Sequence, residues 1–192
     1  MAKIDDEYLS QVIKLGDEGS ELLAKICAPT LKANSHVKLI GPERRVALEI
    51  PEGYRVFVHS IAGDHSNSCK TTVESLVSGL YNQACAIGST PIAMTNVIDS
   101  STGNPELLRK IAEPMAKLAG DFGISIINGE NAILGDCVRG DFNISGTMIS
   151  IAKRDAKVNG SELPHEGTFD FNGNKYAHFS PFDQYVIANS DG

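Results

Sequence analysis

No stretch of this 192-residue chain approaches the roughly 18 consecutive apolar residues that a membrane-spanning helix requires, and residues 1–7 are charged where a secretory leader would be apolar. The expectation is a soluble protein with no membrane partner. Cysteine is sparse as well. Cys27, Cys69, Cys85 and Cys137 lie far apart with no C-x-x-C pair, so neither a zinc knuckle nor a disulfide framework is expected. Cys27 and Cys85 fall in apolar helical patterns, and the expected compartment is a reducing cytoplasm. Positive charge is the third shortage. With 17 basic against 24 acidic side chains the net charge is -7, which argues against a broad nucleic-acid surface. Small anions stay open, because backbone amides and metals bind them without net positive charge.

What is present suits one domain of ordinary size, able to bury roughly 70% of its unfolded surface without covalent staples. Residues 5–31 carry Leu9, Val12, Ile13, Leu15, Leu22, Leu23 and Ile26 near helical spacing, broken by Gly16 and Gly19 and stopped by Pro29. Two short helices or one kinked one are expected. Three β-like runs follow at 36–40, 45–50 and 55–61, separated by Gly41-Pro42 and by Pro51-Glu52-Gly53, and the simple reading is a meander. A helix over 71–87 then buries Val73, Leu76, Val77, Leu80, Ala84 and Ile87, with Ala84-Cys85-Ala86 small enough for close packing. Residues 91–97 read as a buried strand. Asn104-Pro105 opens a further helix, a capping side chain followed by proline in the first turn, which runs to Phe122 with Pro114 as a kink or boundary. Strands at 124–127 and 142–152 complete a layered fold with helices on one sheet face.

Beyond Arg154 the composition shifts to Gly, Asn, Pro and charge. The expected division is a domain over 1–154, with a helical lead-in at 1–33, then a linker and the start of a further strand or repeat over 155–192. An apolar strand at 184–188 runs directly into Asn189-Ser190-Asp191-Gly192, which reads as a truncation or an internal boundary.

Several segments, in order, resemble the aminoimidazole ribonucleotide synthetase superfamily: the N-terminal domain of phosphoribosylformylglycinamidine cyclo-ligase and its ATP-using relatives. Residues 81–91, with Asn82-Gln83 and Gly88-Ser89-Thr90-Pro91, resemble a helix that carries Val-Asn-Asp and ends in Gly-Ala-x-Pro. Residues 92–99 are similar to the strand after that proline. Asn128-Gly129-Glu130-Asn131-Ala132, placed by its pattern just beyond a strand, resembles Gly-Gly-Glu-Thr-Ala, and residues 142–152 resemble the closing strand. The likeness covers residues 55–153, with an echo at 185–192.

The resemblance implies an α+β domain, a half-barrel with a mixed or antiparallel sheet that dimerises two-fold, and ATP and Mg2+ held by carboxylates near the dimer interface. A triphosphate concentrates negative charge, so a divalent ion must bridge it to protein carboxylates. The implied site takes Glu130 and Asp191 as metal ligands and Lys70, Asn82, Asp64 and Gly129 as nucleotide-binding residues. In the implied reaction of purine biosynthesis, ATP activates a formyl or amide oxygen for ring closure, a ligase chemistry acting on a small nucleotide substrate.

The departures are specific. Gln83 stands where the family has aspartate and brings no negative charge. The family's first loop, Ser-x-Asp-Gly-Val-Gly-Thr-Lys, falls near Ser60 to His65 with Ala62 in place of its aspartate, so that Asp64 would substitute by a shift of the loop. Asn189-Ser190-Asp191-Gly192 resembles the opening of that loop better. Two readings therefore stand beside a cyclo-ligase-like ATP site: a non-catalytic dimerisation or regulatory domain with a degenerate site, and another ATP-using relative such as a thiamin-phosphate kinase or selenophosphate synthetase.

Other constellations have plain structural readings. Glu130 could be a solvated turn carboxylate or a helix cap. His59, Asp64 and His65 could meet a metal, but spacing supplies no third ligand. Residues 63–71 approach a phosphate loop, yet Cys69 stands where glycine must precede Lys70. Asp136 and Asp141 flank Arg139 as a local ion pair would, and Cys137 has no neighbouring base.

Overall fold

The structure, a computed structural model, describes residues 6–40, 45–64, 68–154, 167–171 and 174–178. Helix α1 spans Asp6–Cys27 and passes into a 3-10 turn at Ala28–Lys32. Strands β1 (Val37–Ile40) and β2 (Arg45–Leu48) pair as a separate antiparallel hairpin. There follow β3 (Tyr54–Asp64), α2 (Cys69–Ala86), β4 (Thr90–Ser100), α3 (Pro105–Asp121), β5 (Ser125–Ile133) and β6 (Phe142–Lys153). A small hairpin of β7 (Gly167–Phe171) and β8 (Asn174–His178) follows, antiparallel from Gly167 opposite His178. The strand expected at 184–188 and the proposed continuation at Asp191 lie outside the described residues.

The main sheet is four-stranded in the order β3-β6-β4-β5, with β4 and β5 parallel and the other pairs antiparallel. This is the expected α+β architecture with a mixed sheet. The parallel pair is possible because α3 carries the chain back between its two strands.

The expected meander is corrected. β3 does not continue from β2. It pairs with β6 from Tyr54 opposite Lys153 to Ile61 opposite Gly146. An 11-residue strand satisfies far more backbone groups against the 12 residues of β6 than against the four of β2. Gly53, at φ 81°, supplies the left-handed turn that redirects the chain, and its carbonyl accepts from the Arg154 amide at 2.7 Å.

Helix α1 runs unbroken through Gly16 and Gly19. A Cβ on Gly19 would stand 2.7 Å from Leu108 Cδ1 and 2.8 Å from Asn131 Nδ2. The glycine is therefore a close-packing residue that lets α1 approach α3 and β5. Helix α3 likewise continues through Pro114, because Leu108, Ile111, Ala112, Met115 and Ala119 are buried along one face. Burying such side chains stabilises by about 1.5–3 kcal/mol for each large one, which outweighs the roughly 3 kcal/mol cost of an interior proline. Asn104 caps the helix as expected, its Oδ1 accepting from the Glu106 amide at 2.9 Å.

All three helices cover one face of the sheet. Their side chains, including Leu23, Val73, Leu76, Leu80, Leu108, Ile111 and Met115, pack on Met94, Ile98, Ile144 and Met148. At one end the β1-β2 hairpin adds a satellite core in which Val37, Ile92, Ala93 and Ile151 meet Val46, Leu48 and Ile149. The opposite face of the sheet is bare over much of its area. Val56, Val58 and Val97 are 48%, 66% and 41% exposed there.

Candidate functional site

The site is built on β5, an edge strand whose sequence is Ser-Ile-Ile-Asn-Gly-Glu-Asn-Ala-Ile. The reading of Glu130 as lying beyond a strand is corrected here: β5 extends through it to Ile133. The physical reason is an extra residue. Met94 pairs with Ile126 and Thr95 with Asn128, so Ile127 is bulged out and the strand resumes beyond it. Bulges of this kind re-aim the side chains that follow. Asn128 and Glu130 then lie opposite Thr95 and Val97 on the bare face, whereas Gly129 and Asn131 lie opposite Asn96 and Ile98 on the helix face.

On the bare face Glu130 is exposed, and its Oε1 accepts from the Asn131 amide at 3.2 Å. Asn128 Oδ1 accepts from the Gly129 amide at 2.9 Å. Asp99, two residues beyond Val97 along β4, shares this face. Its Oδ2 accepts from Asn143 Nδ2 at 3.5 Å. A hydroxyl pair on the same face, Ser60 of β3 and Thr147 of β6 with oxygens 3.0 Å apart, lies three and two strands away from β5. Glu130 and Asp99 therefore form a carboxylate diagonal over uncovered sheet. Sequence patterning missed Asp99, and the signal that could have found it is its alternation with Thr95 and Val97 in a strand otherwise buried.

On the helix face a cavity of about 250 Å³ lies between α1 and β5, lined among others by Ser20, Ala24, Cys27, Asn96, Gly129 and Asn131. Asn96 and Asn131 are 5% and 7% exposed. Neither amide atom of Asn131 has a hydrogen-bond partner. A Cβ on Gly129 would come within 3.0 Å of the Asn96 amide, so glycine leaves room for that side chain. Burial pushes the Cys27 thiol up to about 11, which keeps it neutral at the cavity wall. The wall is held by Thr30, whose Oγ1 donates to the Cys27 carbonyl at 2.7 Å and accepts from the Ile126 amide at 3.0 Å.

The other expected site residues are dispersed. Lys70 is exposed in the first turn of α2, and its Nζ lies 3.7 Å from Glu74 Oε1. Asn82 is exposed on the same helix, twelve residues on and about 18 Å along the axis at 1.5 Å per residue. The backbone of Asp64 pairs with Ile144 at the far edge of the sheet, three strand spacings or about 14 Å from β5. Asp191 and His65 lie outside the described residues. The chain brings Gly129 and Glu130 together on one strand and does not gather Lys70, Asn82 and Asp64 around them. His59 is tied elsewhere, its Nε2 2.8 Å from Ser150 Oγ. Among the described residues no group of three or more His, Cys, Asp or Glu side chains is arranged to hold a metal ion, and no helix is long and apolar enough to cross a membrane.

Residues 52–152 match the family described as AIR synthase related protein, N-terminal domain. The phosphoribosylformylglycinamidine cyclo-ligase of Pyrococcus horikoshii is similar at 27% identity over 82 residues, covering 43% of this chain and 24% of the relative. Among solved structures, thiamine-monophosphate kinase from Stenotrophomonas maltophilia superposes with a TM-score of 0.54 at 16% identity, over 70% of this chain and 42% of that one. The E. coli hydrogenase maturation protein HypE gives a TM-score of 0.55 at 14% identity, over 77% and 47%. The matched segment thus spans about a quarter of the curated relative's length. The two structural likenesses show the fold.

Proposed function

Because this chain belongs to the AIR synthase related proteins, matching their N-terminal domain over just over half its length, we propose that it is an ATP-using, cyclo-ligase-like domain that binds Mg-ATP at the bare face of its sheet. The observation that carries this reading is the placement of Glu130. The one acidic side chain of the matched motif stands exposed on uncovered sheet, with Asp99 beside it and no ion pair to neutralise it among the described residues. Magnesium takes one or two carboxylates and draws its remaining ligands from water and phosphate, so this pair fits such an ion when the nucleotide brings its own oxygens. Glu130 would hold the ion with phosphate oxygens. Asp99, already oriented by Asn143, would keep the local potential negative. Bound magnesium would neutralise phosphate charge while a formyl or amide oxygen takes the terminal phosphoryl group from ATP with loss of ADP, after which a substrate nitrogen closes on the activated carbon and phosphate leaves with that oxygen, a ring closure of the kind the name of the cyclo-ligase relatives suggests.

The same face supports a homodimer. Three exposed valines on a long sheet are better covered than solvated, and a second copy offers a complementary sheet by symmetry. Lys70 and Asn82 lie in the helix layer, and a partner copy or further chain would have to supply the cationic group expected beside Glu130. We place the domain in the cytoplasm, with a small-molecule nucleotide as its substrate.

A second reading, a dimerisation or regulatory domain that retains the fold without the chemistry, is favoured by Gln83 and by the separation of Lys70 from Glu130. Calorimetric titration of the chain with ATP, with and without magnesium, decides between them. Saturable magnesium-dependent binding supports the first reading, whereas no heat of binding in the millimolar range leaves the second.

A further inference from the structure

Helix α1 lies over β5 at Gly19, and that contact leaves a polar group unanswered. Both carboxamide atoms of Asn131 are buried without a hydrogen-bond partner, and a Cβ on Gly19 would stand 2.8 Å from its Nδ2. In the middle of an α-helix each backbone N–H and C=O is already bonded four residues along the chain, so Gly19 presents only its methylene to the amide. Docking α1 therefore strips water from Asn131 and returns no bond, a costly arrangement that native interiors contain at few places. The cost exists only while α1 is docked, because water reaches the amide once the helix lifts.

The apolar contact set against that cost is thin. Of the side chains described in this 22-residue helix, Leu23 and Cys27 are buried and Leu22 and Ile26 half-buried, whereas Leu9 and Ile13 are 41% and 62% exposed. A gap of about 250 Å³ lies between the last turns of α1 and the edge of β5, with Ser20, Ala24 and Cys27 on one side and Ile127 and Gly129 on the other, so dispersion contacts are missing there as well. Just past the helix the attachment is firm. Thr30 is buried with its Oγ1 on the Ile126 amide at 3.0 Å, and Asn34 Nδ2 donates to the Gly123 carbonyl at 3.0 Å.

We infer that α1 is a releasable cap, which swings off β5 and α3 as a unit about the Thr30 anchor while the sheet, α2 and α3 stay folded. Segments with few buried apolar contacts open at a lower free energy than the whole domain, and an orphaned amide beneath such a segment lowers it further. Opening uncovers the helix face of the same strand that carries Glu130, so Asn131 passes from a dry contact with Gly19 to water. Leu23 and Cys27 leave the core with the helix. The inference does not depend on ATP binding at the opposite face.

Cys27 is a natural reporter of this motion, since it is 8% exposed on the underside of α1 and burial keeps its thiol neutral there. The test is pulsed alkylation of the full 192-residue chain in native buffer, with Cys27 followed by peptide mass spectrometry and hydrogen exchange of the β6 amides as the measure of global unfolding. Cys27 should label more slowly than the exposed Cys85 and Cys137, yet through an opening at least about a hundredfold more frequent than that of β6. Asn131→Leu, which replaces the two amide atoms by methyls of similar shape, should slow Cys27 labelling by about tenfold. Gly19→Ala, which crowds Leu108 and Asn131 only in the docked state, should speed it. The inference is overturned if Cys27 reacts no more often than β6 exchanges, which would make α1 a fixed part of the core, or as fast as Cys85, which would mean that no docked state exists. It is also overturned if either variant leaves the Cys27 rate unchanged.

Discussion

Glu130 and Asn131 are neighbours in β5 whose side chains leave opposite faces of the sheet, the first exposed and the second 7% exposed. One peptide unit therefore separates the exposed carboxylate proposed to meet a nucleotide's cation from a buried carboxamide that has no hydrogen-bond partner. The bulge at Ile127 sets this division, for without it each side chain would point the other way.

Replacing Glu130 with glutamine should remove magnesium-dependent ATP binding by about tenfold or more. The side chain is exposed, and the glutamine oxygen can still accept from the Asn131 amide, so thermal unfolding should change little. Calorimetry paired with a melting curve tests both halves, and unchanged affinity would remove Glu130 from the proposed site.

The bare face makes a prediction about assembly. Val58, 66% exposed in β3, should lie within the contact of a homodimer. Val58→Glu would bury a charge there, and sedimentation should then report a monomer with its circular dichroism intact. A wild-type chain that sediments as a monomer would contradict the proposed dimer.

Gly19→Ala should destabilise the protein although alanine is the better helix former. The new methyl would meet Leu108 and Asn131, both buried, and overpacking costs about 1–3 kcal/mol against roughly 1 kcal/mol gained in helix propensity. Urea unfolding should show a lower midpoint. A higher midpoint would mean that α1 sits further from β5 than described.

Core and surface leucines should separate cleanly. Leu80 is fully buried against the sheet, and Leu80→Ala should cost about 2–5 kcal/mol. Leu39, 56% exposed on β1, should tolerate alanine within about 0.5 kcal/mol. Comparable midpoints for the two variants in urea would contradict the layer assignment.

Stability should also depend on His59. Burial lowers its pKa below the ordinary 6.5, so the unfolded chain binds its proton more readily than the native state. The contribution is fully present above pH 6.5 and is lost as pH falls below that value toward the native pKa. His59→Gln can keep a hydrogen bond to Ser150 without titrating, and it should flatten this part of the profile. An unaltered pH dependence of the urea midpoint would assign the titration to other groups.

Much of the fold was legible because its elements carry short-range signals. The apolar face of α2, the Asn104-Pro105 start of α3, and the run of β6 are all patterns within one element, and the structure reproduces them to within a few residues. The meander was misread because β2 and β3 are adjacent in sequence, while pairing is decided by which partner satisfies more backbone groups. The break at Gly19 was misread because glycine has two meanings: a weak point in an isolated helix, and room for another element in a packed one. Within the site, the acidic motif was visible, whereas Asp99 and Asn96 became site residues only once β4 lay beside β5.

By itself the amino-acid order determined most of the helices and strands, the family likeness and the place of Glu130 in a family-like motif, since periodicity, capping and composition act over a few residues. Tertiary structure alone decided that β3 joins β6, that Ile127 bulges and divides Glu130 from Asn131, and that Gly19 of α1 lies over Asn131. Those outcomes depend on backbone pairing and space filling between segments far apart along the chain, and no local pattern encodes them.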